Sequence, residues 1–182
     1  LSSDPTQHPR MNTIMAIKEM QFKLEQMLHS KDEAKEDLIE LSQNIIAEVE
    51  KAFPANEPHP ALARAYNDDG YVHKRLGNFD IAIESYHKAI KTYRESTGKA
   101  TQSYCSVLTN LSLCYKDLST YEPEEEDHPD DPRKGGALTE KMTTMERVGF
   151  LTRSKEAIEE ALEIRIQLLA RASSDAAADM VS

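Results

Sequence analysis

The chain has 182 residues, with 32 acidic and 22 basic side chains and a formal net charge of −10 at pH 7. A chain of this length can form one domain with a substantial core, and its acidic balance disfavours a nucleic-acid-binding surface, which needs a basic footprint. Six glycines and few β-branched runs argue against a sheet protein, and no apolar stretch has the length of a membrane span.

The two cysteines indicate a reducing environment. Cys105 and Cys114 fall in one predicted helix, where their separation places them on opposite faces and about 13 Å apart along the axis. This geometry excludes a disulfide between them, and unpaired thiols are typical of intracellular proteins. We therefore expect an intracellular location, in the cytoplasm or the mitochondrial matrix.

The first third of the chain predicts a polar arm and two helices. Residues 1–10 are polar and contain two prolines, so we expect a flexible arm. Residues 11–29 have a helical pattern rich in Met and Ile, and Ser30 begins a Ser-x-x-Glu capping box that predicts the start of a second helix. That helix is expected to extend to about residue 52, because three prolines follow within 53–60.

Three further helices are predicted between residues 60 and 118. Their ranges are about 60–76, 80–96 and 101–118. A proline opens the first of them, at a position where no backbone N–H is needed. Gly77 and Gly98 stand where helices commonly end in a left-handed residue.

A weak internal repeat relates these helices. A shift of 42 residues superimposes four pairs of similar residues: Gly70 and Ser112, Lys74 and Lys116, Leu76 and Leu118, Phe79 and Tyr121. Repeats of this period are typical of helical pairs that stack side by side, each burying a face that it cannot bury alone.

The second repeat unit is interrupted. A segment with seven acids, 122–131, and a Gly-Gly pair separate Tyr121 from the next strongly helical pattern, at 152–171. We therefore predict an insertion at about 122–151. Residues 172–182 have few bulky side chains and predict a flexible tail.

The insertion itself contains a helical pattern. Four apolar residues predict a short helix over 138–148: Leu138, Met142, Met145 and Val148. So short a helix needs a surface to pack on, which is either the stack or a partner. We favour the stack, because the helix would then cover Leu162 and Ile166 at the open end of the second unit.

The repeat resembles the tetratricopeptide repeat family, in its kinesin-light-chain-type branch with 42-residue units. The first unit matches the family pattern at Tyr66, Gly70, Leu76, Gly77, Asn78, Phe79, Ala82, Tyr86 and Ala89. The second unit matches at Leu108, Asn110, Leu111, Ser112, Tyr115 and Tyr121, and then at 159–165. The resemblance covers about residues 60–121 and 152–171, with 31–60 as a half-repeat.

The resemblance implies an all-α fold. It would be a short solenoid of about two to three helical hairpins within residues 11–171, capped by the N-terminal helices and carrying the insertion in its last repeat. In the family's hairpins small residues let two helices approach closely, so we expect Ala82 and Ala89 to allow a close approach to Gly70.

The resemblance also implies a binding groove, because the first helix of each family repeat lines the concave face. The residues at those positions are Arg64, Asn67, Asp68, Tyr71, Lys74, Arg75, Asn110, Leu113, Lys116 and Asp117. Asn110 matches the clamp with which some family members hold a chaperone's terminal carboxylate, but Asn67 and Tyr71 replace the Lys and Asn of that clamp. A co-chaperone role is therefore disfavoured.

No catalytic, cofactor or metal site is predicted. The six histidines lack metal-ligand spacing, and no HExxH, CxxC or phosphate-loop motif occurs. We expect a non-catalytic module or scaffold that binds a protein partner, without nucleic acid or a membrane span. The alternative is a permanently bound accessory subunit of a large multiprotein complex, such as a mitochondrial one. An enzyme is the least favoured class, because no site supports one.

Overall fold

The computed structural model describes residues 7–30, 34–53, 57–122 and 142–179. These residues form no strand and six helices: α1 (Gln7–His29), α2 (Lys35–Ala52), α3 (Pro60–Arg75), α4 (Phe79–Ser96), α5 (Gln102–Thr120) and α6 (Thr144–Asp179). The expected all-α class is confirmed. The first helix begins at Gln7, so the last residues assigned to the N-terminal arm are helical.

Each helix packs chiefly against its neighbours in the chain. Contacts join α1 to α2, α2 to α3, α3 to α4, α4 to α5 and α5 to α6, and α3 also touches α5. The α3–α4 and α5–α6 pairs are the most extensive. The fold is therefore a row of helices in chain order, in which each added helix buries a face of the one before it.

Two apolar clusters hold this row together. The first joins α1, α2 and α3 through Ile17, Leu24, Met27, Leu38, Ile45, Val49, Ala65 and Val72. The second joins α3 to α4, α5 and α6, and its buried residues include Ala63, Tyr86, Tyr104, Leu111, Ala161 and Ile164. Because Ala63 and Ala65 are two residues apart on a helix, they point in nearly opposite directions. Helix α3 therefore belongs to both clusters and couples the two halves.

Small residues lie where α3 and α4 meet, as the repeat pattern predicts. Ala82 and Ala89 are fully buried, and the ring of Tyr86 lies directly over Gly70. A Cβ atom added at Gly70 would stand 2.8 Å from Tyr86 Cδ1 and Cε1. That distance is well inside van der Waals contact, so only glycine fits beneath this ring.

The ends of α3 and α4 follow from local sequence. Pro60 occupies the first turn of α3, and the preceding His59 accepts a hydrogen bond from the Ala61 N–H through Nδ1 at 3.1 Å. Gly77 and Gly98 have φ values of 81° and 76°, the left-handed conformation that glycine adopts without strain. The predicted stops are confirmed at both glycines.

The predicted start of α2 is wrong. The N-cap residue is Ala34, which has no side-chain capping hydrogen bond, whereas the sequence pattern assigned that role to Ser30. The Ser30 N–H instead bonds to the carbonyls of Gln26 and Met27 at the end of α1. The other residues of the predicted capping box, 31–33, lie outside the described part of the chain.

The helical part of the insertion also differs from the prediction. Residues 144–179 form one continuous helix of 36 residues, not a short helix to 148 followed by another from 152 to 171. Its start is a capping box: the Glu146 N–H donates to Thr143 Oγ1 at 3.3 Å, and Glu146 Oε2 accepts from the Thr143 N–H at 2.7 Å. No proline follows within α6 to end it, so the helix continues to Asp179, past the predicted start of the tail.

Among the described residues, the predicted docking of the insertion helix on the stack is found for Met142 but not for Met145 and Val148. Met145 and Val148 are 86% and 56% exposed, and Leu162 and Ile166, which that helix was expected to cover, are each 58% exposed. Met142 and Phe150 pack against the second cluster instead. Leu138 lies outside the described residues. The predicted apolar stripe is therefore divided: Met142 contacts the stack, whereas Met145 and Val148 face away from it.

Candidate functional site

A pocket of about 390 Å³ lies between α1 and the adjacent faces of α3 and α5. Five of the ten predicted groove residues line it: Arg64, Asn67, Asp68, Tyr71 and Asn110. Four of them lie on successive turns of α3 and therefore share one face of that helix. The fifth, Asn110, lies in the middle of α5. We call this concavity, with its lining from the three helices, the α1–α3–α5 groove.

An amide pair links α3 and α5 within the groove. Asn110 Nδ2 donates to Asn67 Oδ1 at 2.9 Å, and Asn67 Nδ2 donates a longer bond, of 3.4 Å, to Asp68 Oδ1. These hydrogen bonds fix the orientation of both amides. The side-chain oxygen of Asn110, Oδ1, takes part in neither of these bonds. It can therefore accept a hydrogen bond from a bound chain.

The groove contains a carboxyl group with an unusual titration. Burial raises the pKa of Asp68 to about 6, although Arg64 and Asn67 oppose the rise, and Glu25 of α1 adds to it. The Arg64 guanidinium lies 3.8 Å from Asp68 Oδ2 and is itself largely exposed. Such an incompletely compensated carboxyl group can bind a cation from a ligand more readily than one that is already paired.

The other predicted groove residues lie outside this pocket. Lys74 Nζ and Asp117 Oδ2 form an ion pair of 2.9 Å between α3 and α5, which ties the two groove helices together. Leu113 and Lys116 are exposed on α5. None of these four residues lines the pocket.

Arg75 has a role that the sequence did not indicate. Its Nη1 donates to the Leu28 carbonyl oxygen, and its Nη2 donates to the Ser30 carbonyl oxygen at 2.8 Å. These acceptors lie at the end of α1, where helical carbonyls have no partner within the helix. Arg75 therefore holds α1 against α3 rather than lining the groove for a ligand.

Sequence reasoning missed the contribution of α1 to the groove. Its residues form the wall opposite α3: Gln21, Leu24, Glu25, Leu28 and His29. The sequence predicted α1 only as a cap on the stack. Which face of an amphipathic helix meets a distant helix depends on tertiary packing, and no local motif signals it.

A second polar cluster is buried where α2, α3 and α4 meet. Asp69 accepts hydrogen bonds from Ser42 Oγ at 2.8 Å and from Ser85 Oγ at 2.7 Å, and His73 Nε2 lies 3.6 Å from Asp69 Oδ1. Burial lowers the pKa of His73, and the Asp69 charge opposes this. Because Asp69 accepts from two hydroxyls in the interior, we assign this cluster to helix packing.

Neither cysteine has the properties of a nucleophile. Both thiols are free and buried, and burial raises the pKa of Cys114 to about 12 and that of Cys105 above its ordinary value. A thiol with a raised pKa is seldom a thiolate and reacts slowly. Among the described residues, no group of three or more His, Cys, Asp or Glu could hold a metal ion. Within the same residues, no helix combines the length and apolar character that crossing a membrane requires.

Comparison with protein-family models, curated proteins and solved structures finds no significant match to this chain.

Proposed function

We propose that the chain is a non-catalytic protein-interaction module of the tetratricopeptide-repeat type, which binds an extended segment of a partner protein in the α1–α3–α5 groove. The single observation that carries the proposal is the pocket itself. Its polar residues converge from helices that alternate along the row, as the repeat resemblance implies, and α1 encloses them from the other side.

The chemistry of the groove suits a peptide. The Asn67–Asn110 amide pair spans α3 and α5, and amides of fixed orientation can bond to the N–H and C=O groups of an extended main chain. Tyr71 supplies an exposed aromatic ring at the same place. Binding then requires no covalent step and no cofactor.

The charges of the groove favour a basic residue in the bound segment. Asp68 and Glu25 both line the pocket, where the Arg64 guanidinium lies 3.8 Å from Asp68 Oδ2. A Lys or Arg of the partner would lie beside Asp68 and favour its ionised form. Binding should therefore strengthen as the pH rises through about 6, the pKa of Asp68.

Site-specific photo-cross-linking tests this proposal. A photoreactive phenylalanine analogue at position 71, inside the groove, is compared with the same group at Ile81, an exposed residue of α4. The segment that cross-links at position 71 is mapped, synthesised and titrated against the purified chain. We expect reversible binding, and Asn67→Ala together with Asn110→Ala should weaken it about tenfold or more.

Three results would count against the module. Equal cross-linking at positions 71 and 81, or binding unchanged in the double variant, would remove the groove from the interaction. A fixed set of partners that co-purifies through high salt, with no affinity for the isolated segment, would favour the permanently bound accessory subunit instead.

A substitution of Lys91, which is exposed on α4, is the matched control for surface changes.

A further inference from the structure

Helix α6 carries a row of exposed residues that its packing on α5 leaves uncovered. The row advances in steps of three and four residues, which keeps it on one side of the helix. We call it the α6 stripe: Val148, Leu151, Lys155, Ile158, Leu162, Ile166 and Leu169, all of them exposed. It spans about 32 Å of helix.

The α6 stripe is separate from the face that α6 buries. Among the described side chains of α6, Ala157, Ala161 and Ile164 are buried, and Ala161 and Ile164 belong to the second apolar cluster around α5. At 100° per residue, the centre of the stripe lies about 135° around the helix from the side of these buried residues. Single exposed apolar residues are ordinary, but a row of six Val, Leu and Ile residues with one lysine among them marks a contact surface.

Six of the seven stripe positions are related by two-fold symmetry. They fall in pairs at equal distances from a midpoint between residues 158 and 159: Val148 with Leu169, Leu151 with Ile166, and Lys155 with Leu162. Two α6 helices that lie antiparallel about this midpoint therefore place stripe against stripe on both sides of the centre, where Ile158 lies beside Glu159 of the other copy. Such self-complementarity is the requirement for an isologous contact between identical chains.

The one charge in the stripe supports the same arrangement. In the antiparallel pair, Lys155 lies opposite Leu162 of the second copy, between Glu159 and Glu163 of that copy. In the single chain, Lys155 Nζ and Glu159 Oε1 are 3.7 Å apart and both side chains are more than half exposed. They are free to exchange partners across the axis, which gives two equivalent intermolecular Lys155–Glu159 pairs.

We propose that the α6 stripe is the interface through which two copies of this chain associate. The inference goes beyond the proposed function, because the groove and the stripe lie on different helices and can fail independently. A dimer built on α6 would present two α1–α3–α5 grooves, and a partner with two suitable segments would then bind with increased avidity.

Sedimentation equilibrium of the full chain tests the association. The mass should rise with concentration from 20.5 kDa toward twice that value over a range up to about 100 μM. Ile166→Glu places a charge opposite Leu151 of the second copy and should raise the dissociation constant about tenfold or more. Ile81→Glu, at an exposed apolar residue of α4, should leave it unchanged, and circular dichroism confirms that both variants remain helical.

A charge exchange tests the antiparallel geometry. Lys155→Glu and Glu159→Lys should each weaken self-association, because each brings like charges together across the axis. An equimolar mixture of the two variants should associate more tightly than either alone, since both intermolecular pairs are then opposite in sign. Each single chain keeps its own repulsion within α6, so this gain can arise only between chains. A wild-type chain that stays monomeric at about 100 μM would overturn the proposal and leave the stripe to a helix of another protein. If the mixed variants associate no more tightly than each variant alone, the antiparallel pairing is wrong.

Discussion

The side chain of Tyr86 occupies the space that any residue larger than glycine would need at position 70. We expect Gly70→Ala to lower the free energy of unfolding by about 1–3 kcal/mol, because the new Cβ forces a fully buried ring to move. Urea denaturation measures the change. Gly149→Ala is the matched control: it also lies within a helix but has open space around its Cβ position, so it should stabilise the chain by about 0.5–1 kcal/mol. Equal effects at both positions would contradict the close approach at Gly70.

Asp68 should make the stability of the chain depend on pH in a defined direction. Its pKa rises from 3.8 to about 6 on folding, chiefly through burial, so folding favours the protonated form. Its contribution to stability is full below pH 3.8 and is lost as the pH rises through about 6. Relative to Asp68→Asn, the wild-type chain should therefore lose at most about 3 kcal/mol across this interval.

The measurement is the difference between urea-unfolding free energies of the two chains at several pH values. Glu95→Gln removes an exposed carboxyl group from α4 and should give a curve parallel to the wild type. A wild-type chain whose stability relative to Asp68→Asn stays constant from pH 4 to 7 would show that Asp68 titrates as an ordinary carboxyl group.

At the scale of the element, the start of α6 depends on one reciprocal capping box. Thr143→Ala removes the hydroxyl that accepts from the Glu146 N–H and donates to its carboxylate at 2.7 Å. We expect a loss of about 1 kcal/mol in unfolding free energy and fraying of the first turns of α6, visible as faster amide exchange there. Thr152→Ala is the control, since Thr152 bonds only to the carbonyl of Val148 within the helix and alanine is the better helix former. Equal losses for both variants would mean that the box does not stabilise α6.

The same element shows why the predicted break between residues 148 and 152 is absent. The sequence Thr143-Thr144-Met145-Glu146 carries the Ser/Thr-x-x-Glu signature of a helix start. Gly149 was compatible with a break, but an isolated glycine lowers helix stability by only about 1 kcal/mol. Packing of Phe150 on the second cluster and burial of Ala157 more than offset that loss, so the helix continues through it.

At the scale of the whole molecule, the groove depends on α1 staying in place. Arg75→Ala removes both side-chain hydrogen bonds to the end of α1, each worth about 1 kcal/mol. We expect amide exchange to accelerate several-fold over residues 20–30, while α4 and α5 keep their protection because the second cluster is untouched. Lys91→Ala, an exposed change on α4, is the control. A uniform increase along the chain would indicate that Arg75 stabilises the fold globally instead of docking α1.

Local chemistry in the sequence determined most of the helices. Pro60, Gly77 and Gly98 act within one turn of the chain, and the helix ends that they predicted are those observed. The spacing of small and aromatic residues likewise predicted the contact of Gly70 with α4, because that pattern repeats within a hairpin of adjacent helices. Each of these predictions rests on interactions between residues close in sequence.

Which faces of the outer helices are covered depends on how the six helices pack together. Leu24 of α1 and Leu162 of α6 both belong to helical apolar patterns, yet Leu24 is buried in the first cluster and Leu162 is exposed. A periodic pattern indicates that a helix has an apolar side, but it does not indicate which surface that side contacts. Burial depends on which helices the row brings alongside, so the enclosure of the groove by α1 and the exposure of the α6 stripe emerge only when all six helices are packed.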